Sequence, residues 1–187
     1  MSLWKAIVGK TEVPDYRSPR IDASSNSFQF VDYPHHETHE GDSYVASYAA
    51  DISIGNDLLF LVITPTTPEM HAVLDIQCES ETDISLFEAP TTSANGTSVA
   101  AINKRRTGTP PTAGATVFHT PTVSANGTLL ANQHIGSGKG GGAEIQGRDE
   151  WILKPGGTKY LIKCTATAAG YISAAIRWYE HTPETGD

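Results

Sequence analysis

Residues 73–87 read Val73-Leu74-Asp75-Ile76-Gln77-Cys78-Glu79-Ser80-Glu81-Thr82-Asp83-Ile84-Ser85-Leu86-Phe87. Apolar and polar side chains alternate up to Cys78, a charged and hydroxyl-rich break follows, and alternation resumes at Ile84. A period of two puts every second side chain on one face of an extended chain, the mark of half-buried β-strands. Working outward, the pattern recurs as short strands bounded by turn residues. They are expected at Ser43–Ile52, Leu58–Thr64, His71–Cys78, Asp83–Glu88, Ser98–Asn103, Ala115–His119, Leu129–Ile135, Glu150–Leu153, Lys159–Thr165 and Tyr171–Tyr179. Ile172–Tyr179 could pass for a helix on its alanines, but Gly170 and the β-branched and aromatic content favour a strand. No stretch shows a capped helical period of three turns. Short strands at this spacing, with Gly, Pro and Asn between them, predict an all-β fold. The expected form is a two-sheet antiparallel sandwich, jelly-roll-like, over residues 41–181.

The first 40 residues differ. Pro14, Pro19 and Pro34 interrupt them, and Ser24-Ser25-Asn26-Ser27 adds a turn. Proline fixes φ and removes a donor, so residues 1–40 read as an extended N-terminal arm with one short strand at Phe28–Val31. Trp4, Ile7 and Val8 near its tip would be unusual on a solvated tail, so they are expected to dock on the chain's own body or on a neighbour. Residues 182–187 read as a C-terminal tail.

The chain has 187 residues, 39% hydrophobic and 18% charged, with a net charge of −8. That composition can bury a core. An acidic balance argues against nucleic acid as the main partner, because phosphate binding needs a basic field. Lys104-Arg105-Arg106, between turn signals, reads as a solvated loop or a subunit contact. The longest apolar run, Leu58–Ile63, is far short of the roughly 20 residues that cross a bilayer. No signal-peptide stretch is seen at the start, so synthesis and retention in the producer's cytoplasm are expected. Cys78 and Cys164, each inside an apolar strand pattern, are then expected to be free thiols.

Catalytic and cofactor signatures are not found. His35-His36-Glu37-Thr38-His39-Glu40 fails the H-E-x-x-H zinc pattern in both registers. Lying between Pro34 and Gly41, it reads as a loop with weak, adventitious metal affinity. Gly136-Ser137-Gly138-Lys139-Gly140-Gly141-Gly142 lacks the Lys-Ser/Thr step and following helix of a phosphate loop, and reads as a flexible connection. The carboxylates Glu79, Glu81, Asp83, Asp149 and Glu150 read as solvated edge charges. No metal, cofactor or catalytic residue is assigned, and no enzyme is expected. Ala89-Pro90-Thr91-Thr92-Ser93-Ala94-Asn95-Gly96-Thr97 recurs as Thr120-Pro121-Thr122-Val123-Ser124-Ala125-Asn126-Gly127-Thr128. Because Asn-Gly suits a type I′ turn, both copies read as hairpin turns rather than glycosylation sequons.

Across residues 58–181 an ordered set of pieces resembles the jelly-roll head decoration (cement) proteins of tailed bacteriophages. The pieces are Met70–Ile76, Ile84–Glu88, Ile102–Arg106, Val117–Thr122, Ile135–Gly138, Glu150–Leu161 and Ile176–His181. The resemblance implies a virion structural protein, made in the host cytoplasm, that binds the outside of the head. Its partner would be the major capsid protein, with self-association as a trimer or dimer. Lys104, Arg105 and Arg106, with Trp4, Ile7 and Val8, are then the candidate capsid or subunit contacts. Apolar residues at successive positions in Leu58–Ile63 and Ile172–Trp178 ask for cover on both strand faces, which also suggests a multimer. The alternative is a carbohydrate- or receptor-binding sandwich of a phage tail or fibre. That reading would need Trp151, Tyr160, Tyr171, Trp178 and Tyr179 to form an aromatic platform rather than core.

Overall fold

Pro34 and Gly41 punctuate the first described element, a helix rather than the expected loop. The structure, a computed structural model, describes residues 33–136 and 150–181, which belong to one unit. Helix α1 spans Tyr33–Glu40. Proline fits a first helical turn, where an N–H has no partner anyway, and glycine fits just past the end. Gly41 takes φ +98° there, and its N–H and that of Asp42 both bond Glu37 O, closing the last turn.

Among the described residues thirteen strands follow: β1 Ser43–Ile52, β2 Asp57–Ile63, β3 Glu69–Cys78, β4 Thr82–Glu88, β5 Thr91–Ala94, β6 Thr97–Val99, β7 Ile102–Asn103, β8 Thr116–His119, β9 Thr122–Ala125, β10 Thr128–Ile135, β11 Trp151–Leu153, β12 Lys159–Ala166 and β13 Gly170–His181. Each strand expected from Ser43 onward is present. Ser98–Asn103 is split into β6 and β7, while β5 and β9 lay outside the expectation. One sheet has the order β11-β3-β13-β1-β7, the other β10-β4-β12-β2-β8-β6. Within them β1 pairs β13, β2 pairs β12, β3 pairs β11 and β4 pairs β10, all antiparallel. That is one long hairpin folded over into two layers, the jelly-roll arrangement. Inward side chains of both sheets, among them Phe60, Met70, Ile76, Ile162, Ile176 and Trp178, form the core between the layers. A gap of about 10 Å³ remains there, beside Trp151 and Tyr160, room for about one water molecule.

The repeat does not make hairpins. β5 pairs with β9, one copy against the other, while β6 pairs with β8 and β10 with β4. Each Asn-Gly therefore turns the chain from the β5–β9 ribbon into the six-stranded sheet. The two copies obey a local two-fold axis. Shifting by 31 positions carries Ala89 to Thr120 and Gly96 to Gly127, and the pairings follow: Thr91↔Ala125 maps onto Ala94↔Thr122. Glu88↔Thr128 and Phe87↔Leu129 map onto His119↔Thr97 and Phe118↔Ser98. The axis also relates the central strands, since Phe87↔Leu161 maps onto Phe118↔Leu61. Even the backbone exceptions match, with Ala89 at φ 56° and Thr120 at φ 54°.

This symmetry answers a question posed by Leu58–Ile63. Leu61 and Leu161 are both 0% exposed, yet they point away from the intersheet core, on the outer face of the six-stranded sheet. The ribbon lies on that face, where Lys159 Nζ donates to Thr92 Oγ1 and, at 3.0 Å, to Asn95 Oδ1. Cover for β2 thus comes from the chain's own repeat. In β13, Ile172, Ala174, Ile176 and Trp178 are buried while Ser173, Ala175 and Arg177 alternate with them toward the outside. Neither strand now requires a partner subunit to explain its apolar content.

Both cysteines are free and buried. Burial pushes the thiol pKa of each upward, more strongly for Cys164, so neither presents a reactive thiolate near neutrality. Thiol reagent is expected to modify neither residue in the native protein and both once it is denatured without reductant. Loss of both thiols before denaturation would show a disulfide instead.

Candidate interaction surface

The five-stranded sheet keeps an outer face that the ribbon does not reach. Registers across β11, β3, β13, β1 and β7 align Val73, Arg177, Val45 and Ile102 in one row and Ile152, His71, Tyr179 and Ser43 in the next. Beyond them Ala175 stands opposite Ser47, and Ser173 opposite Ala49. Outward positions of a solvated sheet are ordinarily polar. Here Ile152 is 62% and Ile102 45% exposed, Val73 and Val45 are half-buried, and Arg177 is paired to Asp75 at 3.4 Å. The face thus mixes small and apolar residues with one ion pair, Arg177–Asp75, between its valines.

Its two ends are pinned by polar contacts. At the β11 end the Tyr179 hydroxyl donates to Glu150 Oε2 at 3.0 Å and stands 3.1 Å from His71 Nδ1. His71 stacks on the Tyr179 ring with centroids 4.7 Å apart. A carboxylate beside an imidazole can move protons, but Tyr179 is buried, and the cluster's evident work is to tie the edge strand to β3 and β13. At the β7 end Asn103, buried, donates to Gly41 O and to Pro111 O, and its side-chain oxygen accepts from Arg105 N–H at 2.8 Å.

Lys104, Arg105 and Arg106 are exposed in the loop after β7, next to Ile102. The Arg105 guanidinium donates to Glu40 O at 3.4 Å, a cation at a helix C-terminus, where the dipole favours it. The cluster thus borders the apolar face, with Arg105 partly committed to holding α1. Trp4, Ile7 and Val8 lie outside the described residues, as do the Phe28–Val31 strand, the glycine run from 137 and the tail from 182. The arm read over 1–40 overlaps α1 from Tyr33 onward.

α1 brings His35 and His39 onto one face, Nε2 to Nε2 at 2.9 Å. Two imidazoles alone make a sparse ligand set, and no group of three or more His, Cys, Asp or Glu suited to a metal occurs among the described residues. No helix there is long and apolar enough to cross a membrane. The aromatic residues that a sugar platform would need are dispersed. Tyr160, Trp178 and Tyr179 are buried. Trp151 stands opposite Ala72, while Tyr171 O accepts from Glu79 N–H, seven residues further along β3, about 24 Å away at strand rise.

A polar network that the sequence did not suggest sits on the six-stranded sheet beside the repeat. Glu88 takes Lys154 Nζ at 2.7 Å and the Tyr160 hydroxyl at 3.0 Å. The Lys154 hydrogen bond, with that of Tyr160, holds the Glu88 carboxyl below its ordinary pKa, whereas burial first, with Glu88 added, pushes Tyr160 up to about 12. Tyr44, buried near Glu180 and Asp42, is also raised to about 12. Their folded pKa values exceed the unfolded value near 10, so this stability is complete below pH 10 and is lost as pH rises toward 12. Phenolate absorbance and far-UV dichroism, followed together, should show a late tyrosine fraction that ionises only with unfolding. All tyrosines ionising near pH 10 with the fold intact would contradict the assignment.

No family model, curated protein or solved structure matches this chain.

Proposed function

We propose that the chain is a structural interaction protein, a decoration subunit bound to the outside of a bacteriophage head. The observation that carries this reading is the asymmetry between the two outer faces. One sheet is sealed by the chain's own ribbon, while the other leaves Val73, Val45, Ile102 and Ile152 in adjoining rows with a basic loop at the border. A face of this kind fits another protein surface, with its apolar residues providing area and its charged residues orientation. The ordered resemblance to head decoration proteins supports the shell of major capsid subunits as that surface. Many copies of a modest contact would stabilise a shell collectively. The arm, with Trp4, Ile7 and Val8, is proposed to add contact with a neighbouring subunit.

Purified protein mixed with empty shells of the phage that encodes it should cosediment and saturate. Val45→Lys with Ile102→Lys should abolish cosedimentation while the far-UV spectrum and melting are kept. Protein that stays in the supernatant at every ratio would refute the reading. Binding that survives both lysines would move the contact away from this face.

A further inference from the structure

The four terminal strands of the two sheets are unequal. β7 has 2 residues, β6 has 3 and β11 has 3, while β10 has 8. A terminal strand offers unpaired N–H and C=O groups to any extended chain, and proteins ordinarily blunt it with brevity, proline, lysine or other charge. Three of these edges are blunted by brevity. β10 has none of these, although a bulge at Leu130 interrupts its register with β4: Thr128-Leu129-Leu130-Ala131-Asn132-Gln133-His134-Ile135 contains no proline and no Lys, Arg, Asp or Glu. All but Leu130 and Ile135 are exposed, and Leu129 is 51% exposed. The local two-fold sharpens the contrast. β6 and β10 are equivalent edges of one duplicated half-sheet, yet one copy stops after three residues and the other continues to eight.

We infer that β10 is a self-association edge, which pairs antiparallel with β10 of a second copy about a two-fold axis and makes the two six-stranded sheets continuous. Charge selects this occupant and this direction. In a chain of net charge −8, β10 is a stretch that a like-charged copy can approach. At one end of the strand Glu81 and Asp83 hold His134 at 3.2 and 2.7 Å, and at the other Glu88, opposite Thr128, is paired to Lys154 at 2.7 Å. A parallel pair would bring the two acidic clusters together. An antiparallel pair centred between Ala131 and Asn132 sets His134 opposite Leu129 of the second copy, with the two histidines about 17 Å apart at strand rise. Closure follows as well. Pairing uses both long edges and leaves a three-residue β6 edge at each end, so association stops at two copies instead of running into a fibre. The inference is independent of any shell, since it needs only this chain.

Light scattering on the full chain alone, at about 50 µM, should give twice the monomer mass. Hydrogen exchange should protect amides of residues 128–135 at that concentration and release them on dilution. Leu129→Lys with Asn132→Lys should give a monomer with unchanged far-UV spectrum and melting. Ser98→Lys, the symmetry mate of Leu129 on the β6 edge, should leave the dimer intact. A monomer mass for the unmodified chain, or a dimer indifferent to the β10 lysines, would overturn the proposal. Equal loss with Ser98→Lys would overturn it too, because the long edge would then not be special.

Discussion

Replacing Gly127 by alanine is expected to destabilise the domain by about 4 kcal/mol or more, a size reserved for clashes, cavities and broken networks. Gly127 takes φ +88°, and a Cβ there would fall 2.2 Å from Glu88 O and 2.7 Å from Ala89 C and O. The obstruction is backbone, which cannot swing aside as a side chain would. The left-handed conformation alone costs an alanine about 1–2 kcal/mol. Gly96, its symmetry mate, takes φ +92° and meets His119 O at the same 2.2 Å, so Gly96→Ala should cost as much. Melting should fall on the order of 10 °C in either variant. Gly55, at φ +78° with nothing within 4 Å, separates strain from clash, and Gly55→Ala should lose only about 1–2 kcal/mol. Equal losses at all three positions would mean that the crossing of the two repeat copies is not close-packed.

The second large effect concerns the sealed face. Leu161→Ala and Leu61→Ala should each cost about 2–5 kcal/mol, the ordinary range for a fully buried leucine. The local two-fold predicts similar losses, because each leucine is paired across the same sheet to an equivalent phenylalanine, Phe87 or Phe118. They are also paired with each other, so the double variant should depart from additivity. Denaturant unfolding would measure both. A loss under about 1 kcal/mol at either site would mean that the ribbon does not exclude water there.

Period-two alternation made most strands readable, to the residue for Ser43–Ile52, because one face of each is buried and the other is not. β5 and β9 escaped because Thr-Thr-Ser-Ala and Thr-Val-Ser-Ala hold almost no apolar contrast. Their repetition was visible, and Asn-Gly marked positive φ at Gly96 and Gly127 but not, as a type I′ turn requires, at Asn95 and Asn126. The error lay in taking the nearest strand as the partner, when each copy pairs with the other, 31 positions away. α1 escaped for a different reason: after Tyr33 and Pro34 its six residues are all polar and give no helical period, although Pro34 and Gly41 were its punctuation. The apolar face of the five-stranded sheet was hidden because its members, Val45, Val73, Ile102 and Ile152, come from four separate strands and meet only through register. Lys104–Arg106 was legible as an exposed loop from its turn signals. Its place beside Ile102 was not.

The demand for a partner subunit, drawn from Leu58–Ile63, shows what composition along one strand leaves out. Two apolar faces do require two covers, and here the second cover is the chain's own duplicated ribbon. The self-association proposed above rests instead on the backbone edge of β10, a feature of strand order that the pattern along any single strand does not display.

As the proposed head decoration subunit, this chain should be a stoichiometric component of a phage head surface. Particles purified from an infected culture and separated into heads and tails should carry it on the heads, in a fixed ratio to the major capsid subunit. Its absence from particles, or a few copies confined to tails, would contradict that claim.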